Sequence, residues 1–326
     1  MTSSSRPGSA TRPPRMTLGS VSKVPPIEPD RVFIYGVEKV GKSTFGACAP
    51  APIFISAERG LGELDPVPAH FPEAETFQDV LDAIEALTTG QHEYRTLVLD
   101  SLDWIEQMIV IAVCQRTRTK SGKQWDMNDF TAYGAGQKIA VEDWRSLILA
   151  LDRLQTTKGM EVILVAHAKT KDFDDPTGAR FSRYEPQMSG DIAPKLIKQW
   201  AKSILFARFE YRVQEAEGFG KSKGISTGRR VVYTQWSAAY DAGSRYILPP
   251  VMELDYAAYA AARDASRGDT TGDMVAEAQR LLASWETDQE TRGKAQAAIE
   301  AAKGNGAKLS RLIEHLKTKL NEKGGA

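Results

Sequence analysis

Residues Gly36–Ser43 read G-V-E-K-V-G-K-S, which matches the phosphate-binding pattern GxxxxGK[ST]. The apolar run Val32–Tyr35 precedes this stretch and predicts a buried strand, while Thr44–Cys48 follows it and can form a short helix before Pro50. The motif glycines permit a tight backbone path, so that successive N–H groups can face a phosphate. The stretch therefore predicts a strand, a phosphate-binding loop and a helix, which together begin an α/β fold with a nucleoside triphosphate site.

The residues of this loop have expected roles toward ATP and Mg²⁺. Lys42 would reach the β- and γ-phosphates, and the Ser43 hydroxyl would coordinate Mg²⁺. The helix that begins near Lys42 adds a dipole that favours an anion. A glycine-rich turn with an exposed lysine is the alternative interpretation. The residues predicted to contact the nucleotide are Gly36, Val37, Glu38, Lys39, Val40, Gly41, Lys42, Ser43 and Thr44.

Composition excludes several classes of protein. The 326 residues carry 42 basic and 42 acidic side chains, and this balance argues against a uniformly basic nucleic-acid surface. Cys48 and Cys114 are far apart and form no CxxC pair, so neither a zinc site nor a disulfide framework is indicated. The apolar run Met108–Cys114 is too short to span a bilayer, and the N-terminus does not resemble a signal peptide. The sequence predicts a cytoplasmic protein with no membrane partner.

Strand and helix patterns alternate from about residue 29 to residue 210. Continuous apolar strands separated by helices indicate a mostly parallel sheet with helices on both faces, and later segments with Gly-containing turns indicate antiparallel additions. The predicted strands are Val32–Tyr35, Pro52–Ser56, Thr96–Leu99, Val162–Ala166, Ser203–Val213, Arg229–Trp236 and Arg245–Leu248. The predicted helices between them are Thr76–Thr88, Leu102–Arg116 and Gly136–Leu154.

Composition also divides the chain into three predicted parts. Residues 1–28 are rich in Pro, Ser and Arg and predict a disordered arm, and residues 29–252 form the α/β core. Residues 253–326 are rich in Ala, Glu, Lys and Arg and predict a helical C-terminal region. Its apolar helical face predicts docking on the core in preference to self-association or a partner. That face comprises Leu309, Leu312, Ile313, Leu316 and Leu320.

The run Thr96–Asp100 is an apolar strand that ends in a carboxylate. This arrangement would hold Asp100 opposite Ser43, where it can orient Mg²⁺ through water. The alternative is a cap on the following helix, a role that Ser101 or Asp103 could also fill.

A second strand ends in a carboxylate immediately after the phosphate-loop helix. Ile53–Glu58 would place Glu58 at the strand end that lines the ligand crevice of a parallel sheet, facing the γ-phosphate. A carboxylate in that position can act as general base for an attacking water. A helix-capping or solvent-exposed glutamate is the equally open alternative.

With these residues the chain resembles RecA-family recombinases. Phe54–Arg59, with Leu64–Pro66 beyond it, resembles the strand that carries their catalytic glutamate. Leu97–Ser101 is similar to their Walker B strand, which ends in Asp-Ser. The closer likeness is to compact phage and prophage ATPases of the single-strand annealing or RecA-core type. The resemblance covers roughly residues 30–250 and implies a RecA-like P-loop NTPase core, with Glu58 as the water-activating base and Asp100 as the Mg²⁺ ligand.

The strand Val162–Ala166 ends at His167. RecA has a glutamine at the equivalent place and its phage relatives often have histidine, so the resemblance implies that His167 senses the γ-phosphate. An imidazole can hydrogen-bond a phosphate oxygen and titrates near neutral pH. A strand end satisfied by the backbone is the alternative, and Lys169 is a second candidate for phosphate contact.

Two loops combine basic and aromatic residues, a pattern typical of single-stranded DNA binding, and they occupy places similar to the RecA loops that approach DNA. The acidic residues Asp172, Asp174 and Asp175 weaken this interpretation, and a solvated loop over the nucleotide is the alternative. The aromatic residues are Trp125, Phe173, Phe181 and Tyr184. The basic candidates for DNA contact are Arg116, Arg118, Lys120, Lys123, Arg180 and Arg183, with Lys169 and Lys171 in the second loop.

The sequence therefore predicts an ATP-hydrolysing, RecA-like protein that acts on single-stranded DNA in phage-type recombination or replication, in the bacterial host cytoplasm. An ATP-switched annealing or loading module with little hydrolysis, and an NTPase that works through a protein partner, are the alternatives. Gly243–Arg245 resembles the hairpin end from which RecA-like oligomers reach a neighbour's ATP, so a homo-oligomer is left open. Gly243 replaces the usual lysine, which favours a plain surface role for Arg245.

Overall fold

The computed structural model describes residues 28–58, 61–174, 178, 180–214, 223–267, 270–285, 287–302 and 306–323. The predictions for residues 1–27, Arg59 and Asp175 lie outside the described residues. Contacts divide the chain so that Glu28–Asp269 forms one compact unit and Thr270–Ala326 belongs to another. The domain limits drawn from composition stay predictions.

The first unit is built on a single sheet. Its strands are β1 (Arg31–Gly36), β2 (Pro52–Ser56), β3 (Ala69–His70), β4 (Thr96–Asp100), β5 (Glu161–Phe173), β6 (Phe181–Pro186), β7 (Ser203–Gln214), β8 (Lys223–Tyr233), β9 (Gly243–Ser244) and β10 (Val251–Glu253). Among the described residues the strand order is β10-β8-β7-β1-β5-β4-β2-β3, with β6 on β5 and β9 on β7. The central strands β7, β1, β5, β4 and β2 are parallel, and β8 and β10 extend them in antiparallel fashion.

Helices cover both faces of this sheet. Those of the first unit are α1 (Lys42–Ala47), α2 (Phe77–Thr89), α3 (Leu102–Arg116), α4 (Met127–Thr131), α5 (Ala135–Lys158), α6 (Ile192–Trp200) and α7 (Tyr256–Arg267). Side chains of α2, α3, α5 and α6 share one buried core with the sheet, and those of α1 and α7 share the other. The mostly parallel sheet with helices on both faces confirms the predicted α/β class.

Strand β1 shows why its sequence is apolar throughout. Phe33 and Tyr35 pack into one core, whereas Val32 and Ile34 pack into the other, and each is at most 2% exposed. Because successive side chains of a strand point to opposite faces, a strand covered on both sides has no position for a polar residue. The apolar run before the phosphate-binding loop is therefore a consequence of its central place in the sheet.

The strand predicted at Arg229–Trp236 is β8, which begins earlier and ends at Tyr233, and two other strand predictions differ more from the structure. The segment Arg245–Leu248 is not a strand, and its backbone N–H groups bond to separate partners: that of Arg245 donates to the carbonyl of Lys202 and that of Ile247 to the hydroxyl of Ser266. The strand predicted to end at Ala166 continues as β5 to Phe173, where its second half pairs with β6 in a hairpin. Apolar content could locate only the buried first half of β5.

A buried polar network joins α7 to the amino ends of the parallel strands. The Asp30 carboxylate, which is 0% exposed, accepts hydrogen bonds from the Tyr259 hydroxyl at 2.7 Å and the Arg263 guanidinium at 3.2 Å. Arg263 also pairs with Glu161 at 3.0 Å, and the Tyr256 hydroxyl donates to the same carboxylate at 2.5 Å. Every ionised group in this cluster faces a charge of opposite sign, which is the condition for burying it.

The second unit contains α8 (Thr270–Ser284), α9 (Gln289–Ala301) and α10 (Gly306–Lys323). The α10 face that was predicted to dock on the α/β core is buried in the helical unit's own core, where Leu309, Ile313 and Leu316 pack with Met274 and Trp285. A helical C-terminal region is thus confirmed. Within the described residues, no helix is long and apolar enough to cross a membrane.

Candidate nucleotide-binding site

The phosphate-binding loop leaves β1 at its carboxyl end and requires glycine there. A Cβ on Gly36 would lie 2.0 Å from the carbonyl oxygen of Ala207 on β7, and the Val37 N–H donates to that same oxygen at 3.2 Å. Gly41 ends the loop with a φ of 107°, in the region that favours glycine, and is the N-cap of α1. These two positions set the width of the loop.

Lys42 lies inside the concave side of the loop. Its side chain is buried, and its Nζ donates to the carbonyl oxygens of Gly36 at 3.1 Å and Val37 at 2.9 Å. Burial lowers the pKa of Lys42, and the carboxylates of Asp100 and Asp103 oppose that shift. A buried ammonium whose donors are held by main-chain carbonyls can turn to a more strongly charged acceptor, such as a phosphate.

Ser43 and Asp100 come together as the sequence predicted. Asp100 ends β4, and the hydroxyl of Ser43 on α1 is hydrogen-bonded to its carboxylate. Burial raises the pKa of Asp100, and the Ser43 hydrogen bond and the Lys42 charge oppose that effect. A hydroxyl beside a carboxylate provides the oxygen ligands that Mg²⁺ takes when phosphates and water complete its shell, so these residues fit the ion.

Glu58 follows β2 and is half-buried at the same edge of the sheet. The Ser56 hydroxyl donates to the Glu58 carbonyl at 2.5 Å and shapes the turn that carries the glutamate. Burial raises the pKa of Glu58, while His167 opposes the shift and Asp100 adds to it. A carboxylate with a raised pKa accepts protons more readily, which suits a general base.

His167 is held by Asp103, a contact that sequence reasoning did not foresee. Asp103 lies in the first turn of α3, and its two oxygens bond the His167 N–H at 3.0 Å and the ring Nδ1 at 2.9 Å. This hydrogen bond raises the pKa of His167. Burial alone would raise the pKa of Asp103, but the bonds from His167 hold it below its usual range. The one sequence signal was an acidic residue in the first turn after Asp100.

Most basic residues predicted to contact DNA are engaged by neighbouring groups. Arg116 forms a two-point ion pair with Asp143 at 2.8 and 2.5 Å, and Arg180 pairs with Asp172 at 2.9 Å. In the loop after α3, Lys123 pairs with Asp126, Arg118 donates to the carbonyls of Gln115 and Thr117, and Lys120 is exposed. The charge offered to a polyanion is therefore smaller than the count of basic residues suggests.

Arg183 is a correction to the predicted DNA contacts. Its side chain is 7% exposed, pairs with Asp241 at 2.6 Å and lies over the Phe173 ring at 5.3 Å. A buried and neutralised guanidinium cannot follow a phosphate backbone. Lys169, the second candidate for phosphate contact, likewise donates to the Met188 carbonyl at 2.5 Å.

The second predicted DNA loop is a hairpin that extends directly from the nucleotide site. Beyond His167, β5 pairs with β6 from Ala168 to Phe173. At the far end Phe173 is 36% exposed and lies against Phe181, with ring centroids 5.4 Å apart. One continuous strand therefore joins the candidate phosphate sensor to the exposed Phe173 and its half-buried partner Phe181.

These features define a P-loop nucleotide-binding protein with a phosphate loop, an adjacent hydroxyl–carboxylate pair and a glutamate at one sheet edge. Residues 28–246 match the AAA_24 family, whose description is AAA domain. The match covers more than half of the chain, and the chain belongs to that family.

Other comparisons add little to this assignment. A solved structure described as "Crystal structure of the RadB recombinase" is similar at 14% identity, over 63% of this chain and 80% of that chain, with a TM-score of 0.36. The comparison with curated proteins gave no match.

Proposed function

We propose that this chain binds Mg²⁺·ATP and hydrolyses it. The observation that carries the proposal is the convergence of four side chains from one helix and two strand ends: Lys42, Ser43, Asp100 and Glu58. In this proposal Lys42 exchanges its carbonyl partners for the β- and γ-phosphates. Ser43 and Asp100 hold Mg²⁺, and the bound ion would neutralise charge on the phosphate oxygens.

Glu58 then acts as the general base. It accepts a proton from the water that attacks the γ-phosphorus, the bond from phosphorus to the bridging oxygen breaks, and ADP and inorganic phosphate are the products. His167 donates a hydrogen bond to a γ-phosphate oxygen, and Asp103 fixes the orientation of the ring. Because Asp103 raises the pKa of His167, the imidazolium form persists to higher pH than in a free histidine.

We also propose that the β5–β6 hairpin binds single-stranded DNA and that ATP hydrolysis is coupled to this binding. Support comes from the exposed Phe173, which packs against the half-buried Phe181, because aromatic faces stack on unpaired bases irrespective of sequence. Lys171 and Arg180 are the exposed cations of this hairpin, each shared with a carboxylate that DNA would have to displace. A setting in phage-type recombination or replication, and assembly into homo-oligomers, rest on the resemblance to RecA-like ATPases.

The test is ATP hydrolysis by the purified chain, with and without single-stranded DNA. We expect magnesium-dependent turnover that DNA stimulates, loss of tight ATP binding in Lys42→Ala, and no change in Lys138→Ala, which alters an exposed lysine of α5. Unchanged nucleotide affinity in Lys42→Ala would refute the site.

The other outcomes separate the competing functions. Turnover indifferent to DNA would point to a protein partner, and tight DNA binding with little turnover would point to an ATP-switched annealing module. The dependence of DNA affinity on salt provides a second measure, because each neutralised phosphate of a single strand contributes a slope of about −0.7 in log K against log salt.

A further inference from the structure

Arg230, on β8, lies against the phosphate-binding loop. A methyl group placed on Gly41 would sit 3.1 Å from the Nη1 of Arg230 and 3.8 Å from a methyl carbon of Leu254. Arg230 is exposed, and within the part of the chain that the structure describes its guanidinium has no hydrogen-bond or ion-pair partner. An unpaired guanidinium beside a phosphate loop is available to a ligand.

The sheet order shows which end of the nucleotide this arginine would meet. On one side of β1 lie β5, β4 and β2; His167 lies within β5, Asp100 ends β4 and Glu58 follows β2. On the other side lie β7 and then β8, which carries Arg230. A phosphate chain held by the loop with its γ-phosphate toward Asp100 therefore has its nucleoside directed toward β8.

We infer that Arg230 and Leu254 form the subsite for the nucleoside and the α-phosphate, which ATP and ADP have in common. The guanidinium can bond to the α-phosphate and stack on the base, and the leucine offers an apolar contact to the nucleoside. The inference rests on the proposed function, since it concerns the same site. In this arrangement Lys42, Ser43 and Asp100 bind the terminal phosphates. Arg230 binds the α-phosphate and the nucleoside, which are still present in ADP after hydrolysis.

Calorimetric titration of ADP and of a non-hydrolysable ATP analogue tests this assignment. Arg230→Gln is expected to weaken both ligands by the same factor, about tenfold for loss of one charge-assisted contact. The matched control is Arg229→Gln, which removes the adjacent arginine of β8. Arg229 pairs with Glu210 at 3.6 Å and Glu253 at 3.4 Å and should leave both affinities unchanged.

Each outcome has one meaning. Equal loss for both ligands in Arg230→Gln, with Arg229→Gln unchanged, supports the subsite. Unchanged affinities in Arg230→Gln, or a loss confined to the triphosphate analogue, overturn it while the proposed function stands. Failure of the unaltered chain to bind either nucleotide overturns the proposed function, and this inference with it.

Discussion

The two ends of the parallel sheet both bury charged side chains, but they balance those charges differently. At the amino end, Asp30 and Glu161 face Arg263, and each carboxylate also receives a tyrosine hydroxyl. At the carboxyl end, Asp100, Asp103 and Glu58 crowd around Lys42 and His167, and burial raises the pKa of Asp100 and Glu58.

This difference in charge balance indicates that the amino-end network is a structural cluster and that the carboxyl-end cluster is suited to bind a ligand. Hydrogen bonds donated by the Tyr259 and Tyr256 hydroxyls to Asp30 and Glu161 leave the amino-end network little to gain from an added charge. The carboxyl end carries an excess of negative charge that a divalent cation would relieve, and a lysine held only by carbonyls. Carboxylates that crowd together without enough cationic partners are a common mark of a functional site, whereas a network in which each buried charge is paired needs no ligand to neutralise it.

The largest expected effect comes from breaking the amino-end network. Arg263→Ala should lower the free energy of unfolding by about 3–5 kcal/mol, because it leaves Asp30 as an uncompensated buried charge. Denaturant unfolding measures this loss, and ADP affinity should not change. Arg145→Ala, which breaks an exposed pair with Glu142, should cost less than about 1 kcal/mol. Equal losses in the two variants would show that the network is not a structural cluster.

The second largest effect concerns the carboxyl end, where a substitution should lower activity and leave stability nearly unchanged. Glu58→Gln should lower ATP turnover by about 10²-fold, because it removes a general base, and should leave ATP affinity and the free energy of unfolding nearly unchanged. Steady-state hydrolysis and calorimetry make the comparison. Near-normal turnover would move the base to another carboxylate, of which Asp103 is the next candidate.

The smallest effect is a pH dependence of stability at the carboxyl end. His167 has a raised pKa, so the stability it contributes is full below its ordinary value of 6.5 and is lost as pH rises through its folded value. The Asp103 contribution is present above its ordinary value of 3.8 and is lost as pH falls through the depressed folded value. The pair should therefore stabilise most between these two values.

The measurement is the unfolding of nucleotide-free protein from pH 5 to pH 9. The difference in unfolding free energy between the unaltered chain and His167→Gln should shrink as pH rises above 6.5. His70→Gln, which alters an exposed histidine of β3, is the control for loss of a histidine outside the site. A difference that stays constant with pH would mean that the Asp103–His167 bond does not depend on protonation.

Short-range sequence patterns sufficed to locate the phosphate-binding loop and the strands around it. They could not identify side-chain partners that are distant along the chain. Lys42 and Ser43 belong to one contiguous motif, and Asp100 ends an apolar strand, so each could be located from its neighbours. The partner of His167 is 64 positions away along the chain, and that of Arg183 is 58 positions away. A basic residue in a loop resembles a DNA contact until the fold shows which carboxylate it meets.

The helix α7 has a practical consequence for dividing the chain into fragments. The family match ends at residue 246, whereas Tyr259 and Arg263 lie beyond it in α7. A fragment cut at the end of the family match would retain Asp30 but lose the Arg263 guanidinium that neutralises it and the Tyr259 hydroxyl that donates to it. The unit that can be expressed or exchanged as a piece therefore extends through α7, and sequence similarity alone draws its boundary too early.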